Sequence, residues 1–127
     1  MKKNKSLIFL IITGIAVFSC TYDFIKEAAT PINPGAPVSF SQQILPIFNN
    51  NNNCTSCHKP GGQKPDYTIA NAYNSILNNN VVNLAVPASS PFYKVPNPTT
   101  NTHTWKKYTA NQAQLVLIWI QQGAQNN

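Results

Sequence analysis

Residues 54–58 read Cys54-Thr55-Ser56-Cys57-His58, and the remainder of the chain takes its meaning from this run. Two cysteines separated by two residues, with a histidine directly after the second, form the attachment signal for c-type haem. Each part has a chemical task. The two thiols add to the two vinyl groups of a porphyrin, and two intervening residues span the gap between those vinyls. His58 follows at once, so its imidazole falls under the ring and ligates iron as the proximal ligand. The expected cofactor is therefore one covalent haem c, held by Cys54 and Cys57, with His58 on the metal. Such chemistry requires a chain that leaves the cytoplasm.

The N-terminus has the layout of a secretory signal. Lys2, Lys3 and Lys5 form a positive start, and Leu7 to Phe18 is a nearly unbroken apolar stretch, short for a membrane-spanning helix. It ends at Val17-Phe18-Ser19-Cys20, which resembles a lipobox. The resemblance implies a lipoprotein-type signal peptide over residues 1–19, cut before Cys20, whose thiol then carries a diacylglycerol. The alternative is that Cys20 ends an ordinary signal or a membrane anchor. Export as a lipoprotein implies the periplasmic face of the inner or outer membrane, or the cell surface. The three cysteines of the chain are then all assigned, Cys20 to lipid and Cys54 and Cys57 to haem, and none is left for a disulfide.

Thr21 to Pro37 has no hydrophobic periodicity and carries Pro31, Pro34, Gly35 and Pro37. Residues 20–37 thus read as a lipidated cysteine and a flexible linker, which when extended would hold the domain up to about 50 Å from a bilayer. Residues 38–127 form one small domain, near the limit of what a protein core alone stabilises. The formal charge of +6 includes the three lysines of the signal. The mature chain keeps six lysines against Asp23, Glu27 and Asp66, a formal +3. With no arginine and no basic cluster beyond Lys106-Lys107, the chain is not a nucleic-acid binder. The lysine pair reads as solvated surface, with a docking site for an acidic redox partner as the alternative. The Asn49 to Asn53 run reads as a flexible polar loop after a helix.

In the folded part, Ser39 or Ser41 caps a helix whose apolar positions Phe40, Ile44, Ile47 and Phe48 recur at helical spacing. Pro46 removes one backbone hydrogen bond and is expected to shorten or kink it. Pro60, Gly61, Gly62 and Pro65 mark a loop. Ile69 to Leu77 predicts a short middle helix, with Tyr73 and Leu77 one turn apart. Val81 to Asn101, broken by Pro87, Pro91, Pro96 and Pro98, predicts an irregular loop that wraps the cofactor. Thr109 and Gln112 fit a capping box and Gly123 a helix stop. Between them, Leu115, Ile118 and Trp119, with Val116 and Ile120 beside them, form an apolar stripe expected to pack on the N-terminal helix. No stretch alternates as a strand would. The expected fold class is all-α, about three helices with long loops.

These segments together resemble a small mono-haem cytochrome c domain of bacterial lipoproteins. The resemblance covers nearly all of Val38 to Ala124. It rests on Phe40-Ser41 leading to Ile44-Leu45-Pro46-Ile47-Phe48, the haem motif, Ser90-Pro91-Phe92-Tyr93-Lys94, and Trp119-Ile120-Gln121-Gln122-Gly123-Ala124. It implies a class I-like fold, with N- and C-terminal helices crossing beside one covalently bound haem. It also implies electron transfer to or from a redox partner protein, with no substrate transformed. Such domains commonly supply a methionine from the loop before the last helix as second axial ligand. Here the only methionine is Met1, lost with the signal. His103, in that same loop and the only histidine besides His58, is the expected distal iron ligand. The alternative is a surface histidine, with iron five-coordinate or bound to water or lysine. Imidazole in place of thioether lowers the reduction potential.

Two other classes compete with the lipid-anchored electron carrier. A haem sensor or peroxidase-like module would need an open or displaceable sixth position. A structural zinc site would use Cys54, Cys57, His58 and His103 as a Cys₂His₂ set, for which adjacent Cys57 and His58 are awkward. Trp105 and Trp119 read as packing aromatics, with a place near the haem as the alternative.

Overall fold

The structure is a computed structural model and describes residues 32–127. The signal over residues 1–19, Cys20 and most of the linker lie outside the described residues. Among the described residues there are helices and no strand, so the chain is all-α there. No helix among them is long and apolar enough to cross a membrane.

The first helical run starts where expected. The Ser39 hydroxyl accepts the Gln42 amide, and the chain winds as a π-helical segment over Phe40–Ile44 before tightening into α1, Leu45–Asn49. Pro46 explains the change of winding. It has no N–H for the Gln42 carbonyl, and the residues before it close one residue wider, Leu45 bonding back to Phe40. The expected kink is instead a change of hydrogen-bond register, and Pro46 itself sits in the tolerated first turn of α1. Phe40, Ile44, Ile47 and Phe48 are all buried.

The asparagine run is not a flexible loop. It winds as a 3₁₀ turn, Asn50–Asn52, in which Asn51 and Asn52 take left-handed φ of 53° and 51°, a conformation asparagine tolerates better than most residues. The Asn53 side chain donates to the Ile47 carbonyl at 3.0 Å, and the Cys54 amide reaches the Phe48 carbonyl at 2.9 Å. The turn therefore carries the end of α1 directly into the cysteine motif.

Helix α2, Ala72–Asn78, starts later than the expected Ile69, which is 73 % exposed. Ala72 and Ile76 are its fully buried residues; Tyr73 is half-buried against Phe40, with ring centroids 5.2 Å apart, and Leu77 is exposed. The predicted irregular segment contains a 3₁₀ turn, Pro87–Ser89, and one helical turn, α3, Pro91–Lys94. Pro91 opens α3 at the position where a missing N–H is harmless, which is why a proline count alone misread it. The buried Ser90 hydroxyl accepts the Asn83 amide at 2.9 Å, and the Phe92 amide reaches Val81 at 3.0 Å, closing the segment on itself.

The last helix, α4, spans Ala110–Gln121. Thr109 and Gln112 form the reciprocal capping box, and Gly123 ends the helix at φ 93°. Ala113, Val116, Ile118, Trp119 and Ile120 are buried, whereas Leu115 is half-buried. Trp119 packs against Phe40 at 5.4 Å between ring centroids and against Phe92 at 5.8 Å, joining the first helical run, α3 and α4. Its indole N–H donates to the Gln125 carbonyl at 2.9 Å. Backbone and side chain of Asn127 bond to Ser39, Phe40 and Ser41, pinning the two ends of the domain together.

Trp105 does not pack; it is 92 % exposed. The two tryptophans should therefore separate in a stability measurement. Trp119→Ala should lose about 3–5 kcal/mol, a large share of the stability of a domain this small. Trp105→Ala should stay within about 0.5 kcal/mol. Urea unfolding of the purified variants, followed by far-UV circular dichroism, checks both.

Candidate functional site

The cysteine motif forms a tight turn. The Cys54 carbonyl accepts the amides of Cys57 at 3.2 Å and of His58 at 2.9 Å. This winding brings Cys54, Cys57 and His58 to one wall of a cavity of about 400 Å³, within the roughly 300–1,000 Å³ usual for cofactor and ligand sites. Gly62 makes the turn possible. The Gln63 amide returns to the Cys57 carbonyl at 3.0 Å, and a Cβ on Gly62 would run into that same carbonyl oxygen.

His58 is gripped by residues 65–67. Its Nδ1 lies 2.9 Å from the Pro65 carbonyl. A carbonyl only accepts, so Nδ1 carries the proton and Nε2 keeps the lone pair. The Tyr67 amide donates to the His58 carbonyl at 3.0 Å, and the Tyr67 ring lies 4.6 Å from the imidazole. Tyr67 in turn stacks on Phe48 at 4.7 Å. Phe48, Tyr67, Val81, Phe92 and Tyr108 give the cavity a mostly apolar wall. Burial holds the Tyr67 and Tyr108 phenols protonated, well above their usual range, and the Tyr108 hydroxyl donates to the Phe92 carbonyl at 3.1 Å.

His103 lines the same cavity. Its ring centre is 6.3 Å from that of His58, with the planes 26° apart. Metal–imidazole bonds are about 2.0–2.1 Å, so two imidazoles on opposite sides of one ion have ring centres about 6 Å apart. The separation therefore fits a pair of axial ligands. His103 Nδ1 is buried with no hydrogen-bond partner, a situation that costs roughly 1–3 kcal/mol unless something else compensates it. The thiols, the two imidazoles and the apolar wall are together the donor set and surroundings that a covalent haem requires. In contrast, no three His, Cys, Asp or Glu side chains among the described residues gather to hold a metal ion directly, which leaves the Cys₂His₂ zinc alternative without a geometry.

The structure thus brings together all four donors anticipated in the described residues. It adds Tyr67, Phe92 and Tyr108 as walls, and the Pro65 carbonyl as the partner of His58. Of these, Phe92 belonged to a segment of the resemblance and Pro65 to the expected loop, while nothing in the sequence marked Tyr67 or Tyr108. Trp105 and Lys106 stand at the cavity rim. Comparison of the chain with protein-family models, with characterised proteins and with solved structures finds no match.

The two thiols differ. Cys57 is exposed and Cys54 half-buried. Burial pushes the Cys54 thiol from its ordinary 9.0 up to about 11, against a smaller downward pull from Lys106. Thiolate is the reactive form. In protein made without haem, iodoacetamide should therefore label Cys57 first, with Cys54 slower by at least about tenfold at neutral pH. The Cys54 rate should climb as pH rises towards about 11. Peptide mass spectrometry over a pH series checks the order and the climb.

Proposed function

We propose that the chain is a lipid-anchored, mono-haem cytochrome c that transfers electrons, exported and tethered through Cys20. The observation that carries this reading is the convergence of the Cys54–His58 motif and His103 on one apolar cavity, with the imidazoles 6.3 Å apart. Cys54 and Cys57 would hold the haem covalently, His58 would be the proximal iron ligand and His103 the distal one. Bound there, the haem supplies a one-electron couple. The chain's own residues set the terms on which it works. Two protein ligands limit rearrangement between oxidation states. Phe48, Tyr67, Phe92 and Tyr108 exclude water from one side of the site. The hydrogen bond from His58 Nδ1 to the Pro65 carbonyl raises the basicity of the ligating nitrogen. Imidazole on both faces favours a lower potential than a methionine ligand would.

The partner would be another redox protein of the exported compartment. Residues 32–127 carry five lysines, and their only acidic side chain, Asp66, is buried. A surface of that sign suits an acidic partner and a salt-sensitive encounter.

A second reading, a sensor or peroxidase-like module with a displaceable sixth ligand, draws on one observation: His103 Nδ1 has no partner to hold the ring. One experiment separates the two. Oxidised and dithionite-reduced spectra would be recorded for protein matured with c-type haem, beside His103→Ala. We expect low-spin c-type bands in the wild type and high-spin bands in the variant. A wild type already high-spin and unaltered by the substitution would favour the second reading. A colourless protein would end the haem assignment.

A further inference from the structure

Asp66 is the one acidic side chain within residues 32–127, and it is only 4 % exposed. A buried carboxylate needs a reason, because removing its charge from water is unfavourable unless hydrogen bonds replace the lost solvation. Here they do. One carboxylate oxygen accepts the Thr68 amide at 2.9 Å and the Thr68 hydroxyl at 2.6 Å. The other accepts the Asn71 side-chain amide at 2.9 Å. The Asp66 backbone N–H donates to the Ser75 hydroxyl at 2.7 Å. The Thr68 hydroxyl above all, with the Thr68 amide, Asn71 and the Lys64 charge, holds the carboxyl below its usual range against the opposing effect of burial.

What these bonds fix is the short segment that grips the proximal histidine. Pro65, on one side of Asp66, offers the carbonyl that takes the His58 Nδ1 proton. Tyr67, on the other side, donates its amide to the His58 carbonyl and lays its ring beside the imidazole. Asn49 bonds to the Tyr67 carbonyl at 3.1 Å and ties the same segment to α1. Asp66 touches neither the imidazole nor the cavity wall. Its reach to His58 runs through its two neighbours.

We propose that Asp66 is a positioning residue for the site: its hydrogen-bonded carboxylate locks residues 65–67 so that the Pro65 carbonyl stays on His58 Nδ1 and sustains electron donation by His58 to iron. The inference rests on the reading of His58 as the proximal haem ligand. Loosening the lock weakens the Nδ1 hydrogen bond, makes the imidazole a poorer donor, and favours the ferrous state, so the reduction potential rises.

The test uses the haem-loaded protein and its reduction potential, measured by spectroelectrochemistry. Asp66→Asn keeps the size of the side chain but turns an NH₂ group towards the Asn71 amide, donor against donor. Thr68→Val keeps Asp66 itself but removes the hydroxyl that donates to its carboxylate at 2.6 Å, so it decides the matter should Asp66→Asn fail to fold. Tyr73→Phe, on α2, removes the bond from the Tyr73 hydroxyl to the Ala124 carbonyl and, because that hydroxyl makes no bond to residues 65–67, serves as a control for destabilisation. We expect both test variants to raise the ferrous-to-ferric ratio at a fixed ambient potential, by roughly threefold to tenfold, with the control unmoved. A potential in Asp66→Asn or Thr68→Val no different from that in Tyr73→Phe overturns the inference while leaving the haem reading intact. A wild type that takes up no haem overturns both.

Discussion

The contact on which the rest of this structure depends is the one between Phe92 and Trp119. Trp119 is completely buried and holds the first helical run to α4 through Phe40. Phe92 packs on it at 5.8 Å and faces Phe48, Tyr67 and Tyr108 on its other sides, at 5.6, 6.1 and 6.4 Å. One aromatic layer is therefore both the edge of the core and the wall of the cavity. Edge-to-face geometry of this kind adds directional preference to apolar burial. The position of the wall follows from the helix packing, and the site inherits the rigidity of the core.

That sharing has a thermodynamic side. A domain of this size has little apolar surface to bury, and here part of it lines a cavity of about 400 Å³ rather than meeting other side chains. Whatever fills the cavity completes the core. Occupancy and folding are then linked, since a group that binds the folded chain alone draws the equilibrium towards it. A group tethered through Cys54 and Cys57, as proposed, would make that gain permanent, because an attached group does not leave when the chain opens.

How much of this was legible in the sequence depends on whether a residue acts through a local pattern or a distant contact. The capping box of Thr109 and Gln112, the Gly123 stop and the buried stripe of the first helix are local, and they stand in the structure as the residues imply. That His103 lines the same cavity as the motif is in keeping with what the resemblance implied, since it lies in the loop where such domains carry their second ligand. The failures have a common origin. Pro91 looked like a breaker but opens α3, because a proline is judged by its place in the turn. The asparagines looked like loose polar chain, but two of them occupy left-handed positions, Asn53 bonds back to the Ile47 carbonyl, and Asn49 reaches the distant Tyr67 carbonyl. The spacing of Tyr73 and Leu77 suggested the middle helix, but it starts at Ala72 rather than Ile69, and its most buried residues are Ala72 and Ile76. For so short a helix, tertiary contact chooses the face. Pro65 reads only as a loop residue and nothing local marks Asp66, because their roles exist only once residues 65–67 fold back on His58.

The two histidines are held in opposite ways, and this asymmetry shapes the chemistry the site can perform. His58 is fixed by a hydrogen bond at Nδ1, an amide at its carbonyl and a ring beside its imidazole. His103 sits in a stretch without regular secondary structure before α4, one shaped by side-chain bonds such as those of Thr100 and Thr102 to the Val95 carbonyl, and its own Nδ1 has no partner. A ligand's basicity and orientation follow from what its second nitrogen meets. On the haem reading, His58 is the strong, immobile donor and sets the electronic character of the site. His103 is held by its loop, so exchange at the sixth position would begin there. Whether the protein works only as an electron carrier then turns on how firmly that loop keeps an otherwise unanchored imidazole in place.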